Sequence, residues 1–138
     1  MIVQTQTTSF KKELYEGIHD LLTDTINIAL YTALADLDAT TTVYTTDNEI
    51  TGTGYVAGGN TLTGATVQTS GSTVYVSFNN TSWSSASFTC RGALLYNASK
   101  ANRSVAVLNF GNDKIVTQGT FTVEFPANAA NSAIIRMT

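Results

Sequence analysis

Trp83 to Tyr96 reads WSSASFTCRGALLY, and the difference between its two halves decides the fold. In the first half Phe88 and Cys90 alternate with Thr89 and Arg91, the period of a strand with one buried face. From Gly92 the run continues through Ala93, Leu94, Leu95 and Tyr96 with no polar residue between, as a strand does when both of its faces are covered. Gly92 leaves room for a neighbour to come close. The stretch is therefore expected in the middle of a sheet.

Alternation of period two recurs on either side. Ile26, Ile28 and Leu30 point one way and Asn27, Ala29 and Tyr31 the other, in a strand ending near Leu34. Leu62 to Thr69 and Thr73 to Phe78 form two strands joined by Ser70-Gly71-Ser72, with Val74, Val76 and Phe78 facing inward. Beyond the polar loop Asn97 to Asn102, a strand runs from Ser104 to Phe110, and Gly111-Asn112-Asp113 is expected to turn the chain. Phe121, Val123 and Phe125 then alternate with Thr120, Thr122 and Glu124 until Pro126, and Ala133 to Met137 makes the last strand. The glycines of Asp47 to Asn60, DNEITGTGYVAGGN, permit positive φ or close backbone approach, so this segment reads as ordered turns flanking a short strand around Tyr55.

About eight short strands at spacings near a dozen residues predict a mainly β chain, an antiparallel β-sandwich with the jelly roll among its forms. The inward phase assigns the core to Ile28, Leu30, Phe78, Phe88, Leu94, Val107, Phe121, Val123 and Phe125. One helix is expected, over residues 10–22. Its stripe is Phe10, Leu14, Ile18, Leu21 and Leu22, with Ser9 as N-cap, and because Gly17 weakens it, packing on the sheet must hold it. Residues 9–138 then form a single sandwich domain. Residues 1–8 are an extended polar arm with nothing local to pack against, so Ile2, Val3, Gln4 and Thr5 are candidate contacts to another subunit or a partner surface.

A chain of 138 residues, 43% of them hydrophobic, can bury one sizeable core. Charged residues make up only 12%, against roughly a quarter in ordinary domains. Thr, Ser and Asn stand in their place, a mixture that favours half-exposed strands. The net charge of −3, with Lys and Arg scattered, offers no basic stripe for nucleic acid. No apolar run approaches the ~18 residues of a membrane span, and MIVQTQTT lacks the regions of a signal peptide, so synthesis in a cytosol is expected. A single cysteine excludes an internal disulfide, and Cys90 in its apolar strand reads as a buried, inert thiol.

Residues that could carry chemistry have plainer readings. His19, the only histidine, falls at the end of the expected helix, where it suits the helix dipole; Glu16-Gly17-Ile18-His19 has the spacing of a carboxylate-bridged metal motif but no second copy. Gly52 to Gly59 lacks phosphate-loop spacing and a following helix. Asp36, Asp38, Asp47 and Glu49 lack calcium-loop spacing and read as a solvated acidic edge. Ser84 and Ser85 have no histidine partner in sequence. Trp83 and the tyrosines could stack on sugar rings, though in a sandwich most aromatics alternate into the core. No catalytic, metal or cofactor-binding residue emerges, and an enzyme is not expected.

The segments FKKELYEGIHD, INIALYTALADLDATTTVY, NEITGTGYVAGGNTL, WSSASFTCRGALLYN, VAVLNFG and GTFTVEFP occur in that order between residue 10 and about residue 135. Together they resemble a family of small structural proteins of tailed bacteriophages. The resemblance implies a non-enzymatic virion component made in the bacterial cytoplasm. By size and expected fold it is similar to the cement or decoration proteins on the outer surface of phage heads, with head-fibre, neck or tail components, acting as receptor- or glycan-binding modules, as the alternative. It implies the major capsid protein or other virion proteins as partners, self-association as a dimer or trimer, and no cofactor.

Overall fold

A computed structural model describes residues 1–125 and 133–137. Pro126, expected to end a strand, lies outside them. Among the described residues the protein is mainly β, with strands β1 (Thr5–Gln6), β2 (Ile26–Tyr31), β3 (Asn60–Thr61), β4 (Thr66–Ser70), β5 (Thr73–Ser77), β6 (Thr81–Asn97), β7 (Arg103–Val123) and β8 (Ile135–Met137), and helix α1 (Thr8–Tyr15). They form two antiparallel sheets, ordered β1-β7-β6-β2-β3 and β4-β5-β8.

The stretch that decides the fold is β6, in the middle of the larger sheet between β7 and β2. Ala93 and Leu95 point into a core shared with α1 and the smaller sheet, alongside Phe10, Ile26, Ile28, Phe78 and Ile135. Leu94 and Tyr96 point to the opposite face, into a second core with Ile2, Ala35, Leu37 and Val107. The continuous apolar run thus reflects cover on both sides, as expected. Of the nine expected core residues, Ile28, Leu30, Phe78, Phe88, Leu94, Val107 and Val123 are buried, and Phe121 and Phe125 are half-buried against the same core.

The N-terminal arm corrects the expectation that it needs a neighbour to order it. Thr5 and Gln6 pair with Val107 and Ala106 of the same chain. The Val3 N–H donates to Leu37 O at 2.8 Å, and the Leu37 N–H donates to Met1 O at 3.0 Å. Ile2 is buried over Gly92, where a Cβ would stand 2.8 Å from Ile2 Cδ1 and 2.6 Å from Leu108 O. Residues 1–8 therefore belong to the same folded body. The arm has partners because tertiary folding brings the β7 edge beside it.

Helix α1 is shorter than expected and starts earlier. Thr7, not Ser9, is its N-cap, with a side chain that accepts from the Phe10 N–H at 3.3 Å and itself lies fully buried. Gly17, at φ +72°, stops it: Gly17 N–H bonds Leu14 O at 3.2 Å and Ile18 N–H bonds Glu13 O at 3.0 Å, the paired bonds of a Schellman ending. Phe10 is fully buried and Leu14 and Ile18 half-buried, whereas Leu21 reaches the core through a turn closed by Asp20 and Asp24, and Leu22 is exposed.

Gly111-Asn112-Asp113 does not reverse the chain. β7 continues through it, and the signal expected to mark a turn marks a bulge: Cys90 pairs with Lys114 and Gly92 with Asn109, so Arg91 alone faces Phe110 to Asp113. Arg91 Nε closes the bulge on Asp113 Oδ1 at 2.9 Å. The free edge of β6 is instead covered by the glycine-rich loop after Glu49, through Thr53 paired with Ser87 and the Ser87 N–H donating to Thr53 O at 3.0 Å. Gly54 makes that approach possible, since a Cβ there would lie 2.9 Å from the Ala86 Cα.

Candidate interaction surface

Helix α1 and the turn after it stand across a groove from one face of the smaller sheet. Alternation puts Val67 of β4, Val74 and Val76 of β5, and Ile135 and Met137 of β8 on that face, where Val74 pairs with Met137, and Val76 with both Ile135 and Val67. Leu14, Tyr15, Leu21 and Leu22 form the opposite wall of a space of about 590 Å³. Its floor is made by Leu21 and Ile135, which are buried, but the rim is open: Tyr15 is 85% exposed, Leu22 58%, Val67 45%, and Val74 and Met137 42% each. An apolar patch gathered at one place on a soluble surface is a contact surface far more often than scattered exposed residues are. Val74 lies on the same face as Val76, yet it is exposed, because it stands at the groove end of that face, whereas Val76 and Ile135 pack against the core.

The groove is braced from behind by a polar network around His19, whose side chain is fully buried. The Asn97 Oδ1 accepts from the Ser99 N–H at 3.0 Å, which turns the side-chain Nδ2 towards Asp24 Oδ2 at 2.8 Å and His19 Nδ1 at 2.9 Å. His19 Nδ1 is therefore the acceptor, and Nε2–H donates to Glu13 Oε1 at 2.9 Å. Both ring nitrogens are engaged inside the fold. Lys100 Nζ reaches both oxygens of Asp24 at 3.0 Å. The Asn97 amide, with further help from the Asp20 N–H and Lys100, holds the Asp24 carboxyl at about 2 against the opposing effect of burial. The network ties helix, turn and the β6–β7 loop together. His19 lies beyond the end of α1, so the helix-dipole reading does not hold, and Glu16 pairs with Lys12 rather than with His19.

A second network fixes the opposite face of the larger sheet. Glu49, expected on a solvated edge, is buried and accepts from the hydroxyls of Tyr44 and Tyr55 at 2.5 Å each and from the Gly58 N–H at 2.8 Å. Tyr96 donates to Gly58 O at 2.7 Å and stacks on Tyr44 with ring centroids 4.6 Å apart. Burial first, and the neighbouring Glu49 after it, push the Tyr31, Tyr44 and Tyr55 hydroxyls well above the usual phenol range, so each stays protonated and donates, while the Tyr55 oxygen also accepts from the Leu30 N–H at 3.0 Å. Asp36 pairs with the terminal ammonium at the surface, and Asp38 caps the Thr40 N–H at 2.8 Å.

The remaining sequence candidates fall elsewhere. Of the arm, Ile2 is buried, Thr5 is half-buried, and Val3 and Gln4 are exposed, with the Gln4 side chain accepting from the Asn109 N–H at 3.0 Å. Trp83 is buried and packs edge-on or tilted against Tyr55, Phe88 and Phe121. Cys90 is fully buried, and burial, aided by Asp113, pushes its thiol up to about 12. Among the described residues no group of three or more His, Cys, Asp or Glu could hold a metal, and no helix is long and apolar enough to cross a membrane. Of the rim residues, Leu22 and Val74 were expected to face inward, and Tyr15, Val67 and Met137 carry no signal of exposure, because an apolar residue on the apolar phase of its element is equally the mark of a core residue.

Fold and surface together define a mainly β protein of two antiparallel sheets with an exposed apolar groove. No protein-family model, curated protein or solved structure matches the chain.

Proposed function

We propose that this is a non-enzymatic structural protein of a tailed-bacteriophage virion, a cement or decoration protein that sits on the outside of the head and spans neighbouring capsomers. The observation that carries the reading is the groove, where five large apolar side chains stand exposed around one space, whereas the other exposed ones, such as Leu34, Val56 and Ile115, lie outside it. Such a rim offers a shell subunit apolar contact, and a rigid body with modest interfaces gains its hold by repetition over a lattice. The family resemblance supports the same assignment, with the major capsid protein as partner. Two observations weigh against the glycan-binding alternative: Trp83, Tyr31, Tyr75 and Tyr96 are buried, and Tyr44 and Tyr55 are committed to Glu49, which leaves Tyr15 as the one exposed tyrosine and no platform of several rings.

Copy number tests the proposal. Quantitative gel analysis of virions purified from the phage carrying this sequence should find hundreds of copies per particle. A handful would move the protein to the neck, tail or a head fibre, and its absence from the particle would overturn the reading.

A further inference from the structure

We propose that two copies of this chain associate through β4, pairing Thr66–Ser70 antiparallel with the same strand of the second copy about a twofold axis at Gln68. This goes beyond the virion reading and does not depend on where in a particle the chain resides.

The starting point is the state of the sheet edges. An unpaired edge is a template for another strand, and folded proteins blunt it with charge, bulges, proline or cover. β7 has a long outer edge, since β1 covers only Val107 and Ala106, and that edge carries Asp113 and Lys114, a bulge at Phe110 to Asp113, and positive φ at Gly111 and Gln118. The edge strand β8 carries Arg136, whose carbonyl is taken by Gln6 Nε2 at 2.7 Å. β4 has none of these devices. All five of its residues are exposed, its register with β5 is unbroken, and it contains neither charge nor proline. Indeed the chain carries no charged residue at all between Glu49 and Arg91. Like charges would meet across a twofold axis, so a charge-free edge suits self-pairing in particular.

The register follows from the hairpin. Gly71-Ser72 is a two-residue loop with Gly71 at φ +57°, the position a type II′ turn gives to glycine. In such a loop the flanking pair Ser70–Thr73 is hydrogen-bonded, and bonded pairs then alternate, so Gln68 and Thr66 also bond towards β5. The N–H and C=O of Val67 and Thr69 consequently point away from β5. Antiparallel pairing about Gln68 sets Val67 opposite Thr69 of the second copy, and each such pair exchanges both of its main-chain bonds. Gln68 meets Gln68 at the non-bonded position, where side chains come closest. The Tyr75 hydroxyl already donates to Gln68 Oε1 at 3.1 Å, which aligns the amide and leaves Nε2 to donate to the second copy's Oε1. The apolar faces of the two small sheets lie on the same side of the joined sheet, so Val67, on each groove rim, also gains the other copy's neighbouring strand.

Sedimentation or light scattering of the full chain, 14.7 kDa as a monomer, tests this with Gln68→Lys and Gln68→Glu. Gln68 is exposed, so both variants should stay folded at low concentration, and Gln68→Glu, which keeps an acceptor for the Tyr75 hydroxyl, should keep the wild-type melting profile. Wild type should form dimers. Either variant alone should raise the dissociation constant about tenfold or more, and an equimolar mixture of the two should restore a dimer. Amide exchange at Val67 and Thr69 should slow on dimerisation. A wild type that stays monomeric at every concentration reached, or an oligomer that Gln68→Lys leaves intact, would overturn the proposal.

Discussion

The two sheets are made from similar residues and meet opposite fates. In the larger, the β2, β6 and β7 segments Ile26–Tyr31, Gly92–Asn97 and Ser104–Leu108 are buried almost throughout. In the smaller, β4 is exposed along its whole length and β5 buries only Tyr75. Valine, threonine and tyrosine serve in both. What differs is cover: the arm and the loop through Leu37 close one face of the larger sheet, and α1 with the smaller sheet closes the other, whereas the Val67, Val74 and Met137 part of the smaller sheet's apolar face meets a groove. The lesson is that alternation assigns a face to each side chain, and the layers around the strand decide whether that face is core or contact surface.

The largest effect is expected where cover is complete. Leu95→Ala in the larger sheet should cost roughly 2 to 5 kcal/mol in urea unfolding, since the side chain is fully buried and its neighbours on β2 and β7 are paired and cannot collapse into the gap. A loss below that range would mean the central strand is not the keystone. Glu49→Ala should come next, at about 2 to 3 kcal/mol, because it strands the Tyr44 and Tyr55 hydroxyls and the Gly58 N–H. If Glu49→Ala melts with the wild type, the loop is held by packing alone.

A smaller, pH-dependent effect belongs to Asp24. Its carboxyl is held at about 2 in the folded chain, below the ordinary 3.8, so its charged form favours folding. That contribution is present above pH ~4 and is lost as the pH falls towards ~2. Asp24→Asn should be less stable than wild type at neutral pH and show a flatter acid limb in melting temperature; parallel limbs would refute the linkage.

The counterpart to Leu95→Ala is Val67→Ala in the smaller sheet, which at 45% exposure should change stability by no more than about 0.5 kcal/mol. A multi-kcal loss there would erase the distinction between the sheets. No change is expected when native protein is treated with a thiol reagent at pH 8: Cys90 should react only on unfolding, and rapid native labelling would show that the strand opens.

Much of this was legible in local pattern. The run Gly92 to Tyr96, the hairpin at Ser70-Gly71-Ser72 and the close approaches of the glycine-rich loop each follow from residue type and spacing over a few positions. The helix ending was partly legible, since glycine in the left-handed region is what stops a helix, yet the apolar spacing ran on past Gly17 through Ile18, Leu21 and Leu22 and made the helix look longer. The groove was hidden because Leu22, Val67 and Val74 carry the same periodic signal as buried residues. Nor does position in sequence show that Glu49 comes to rest beneath two tyrosines, although a carboxylate near Tyr44 and Tyr55 was a signal that could have been weighed.

By itself, the sequence determined that the chain is mainly β, which face of most strands is apolar, and that one strand is covered on both sides, because these depend on a period of two and on runs of side chains within one element. Tertiary structure alone decided the rest. It seated Ile2 over Gly92 and so drew the arm into its own domain, made a bulge rather than a turn of Gly111 to Asp113, and left β4 as the bare edge. Each of those outcomes turns on which distant strand lies alongside, since a backbone N–H or an apolar side chain is satisfied by whatever neighbour folding supplies, and that neighbour is written nowhere near it in the chain.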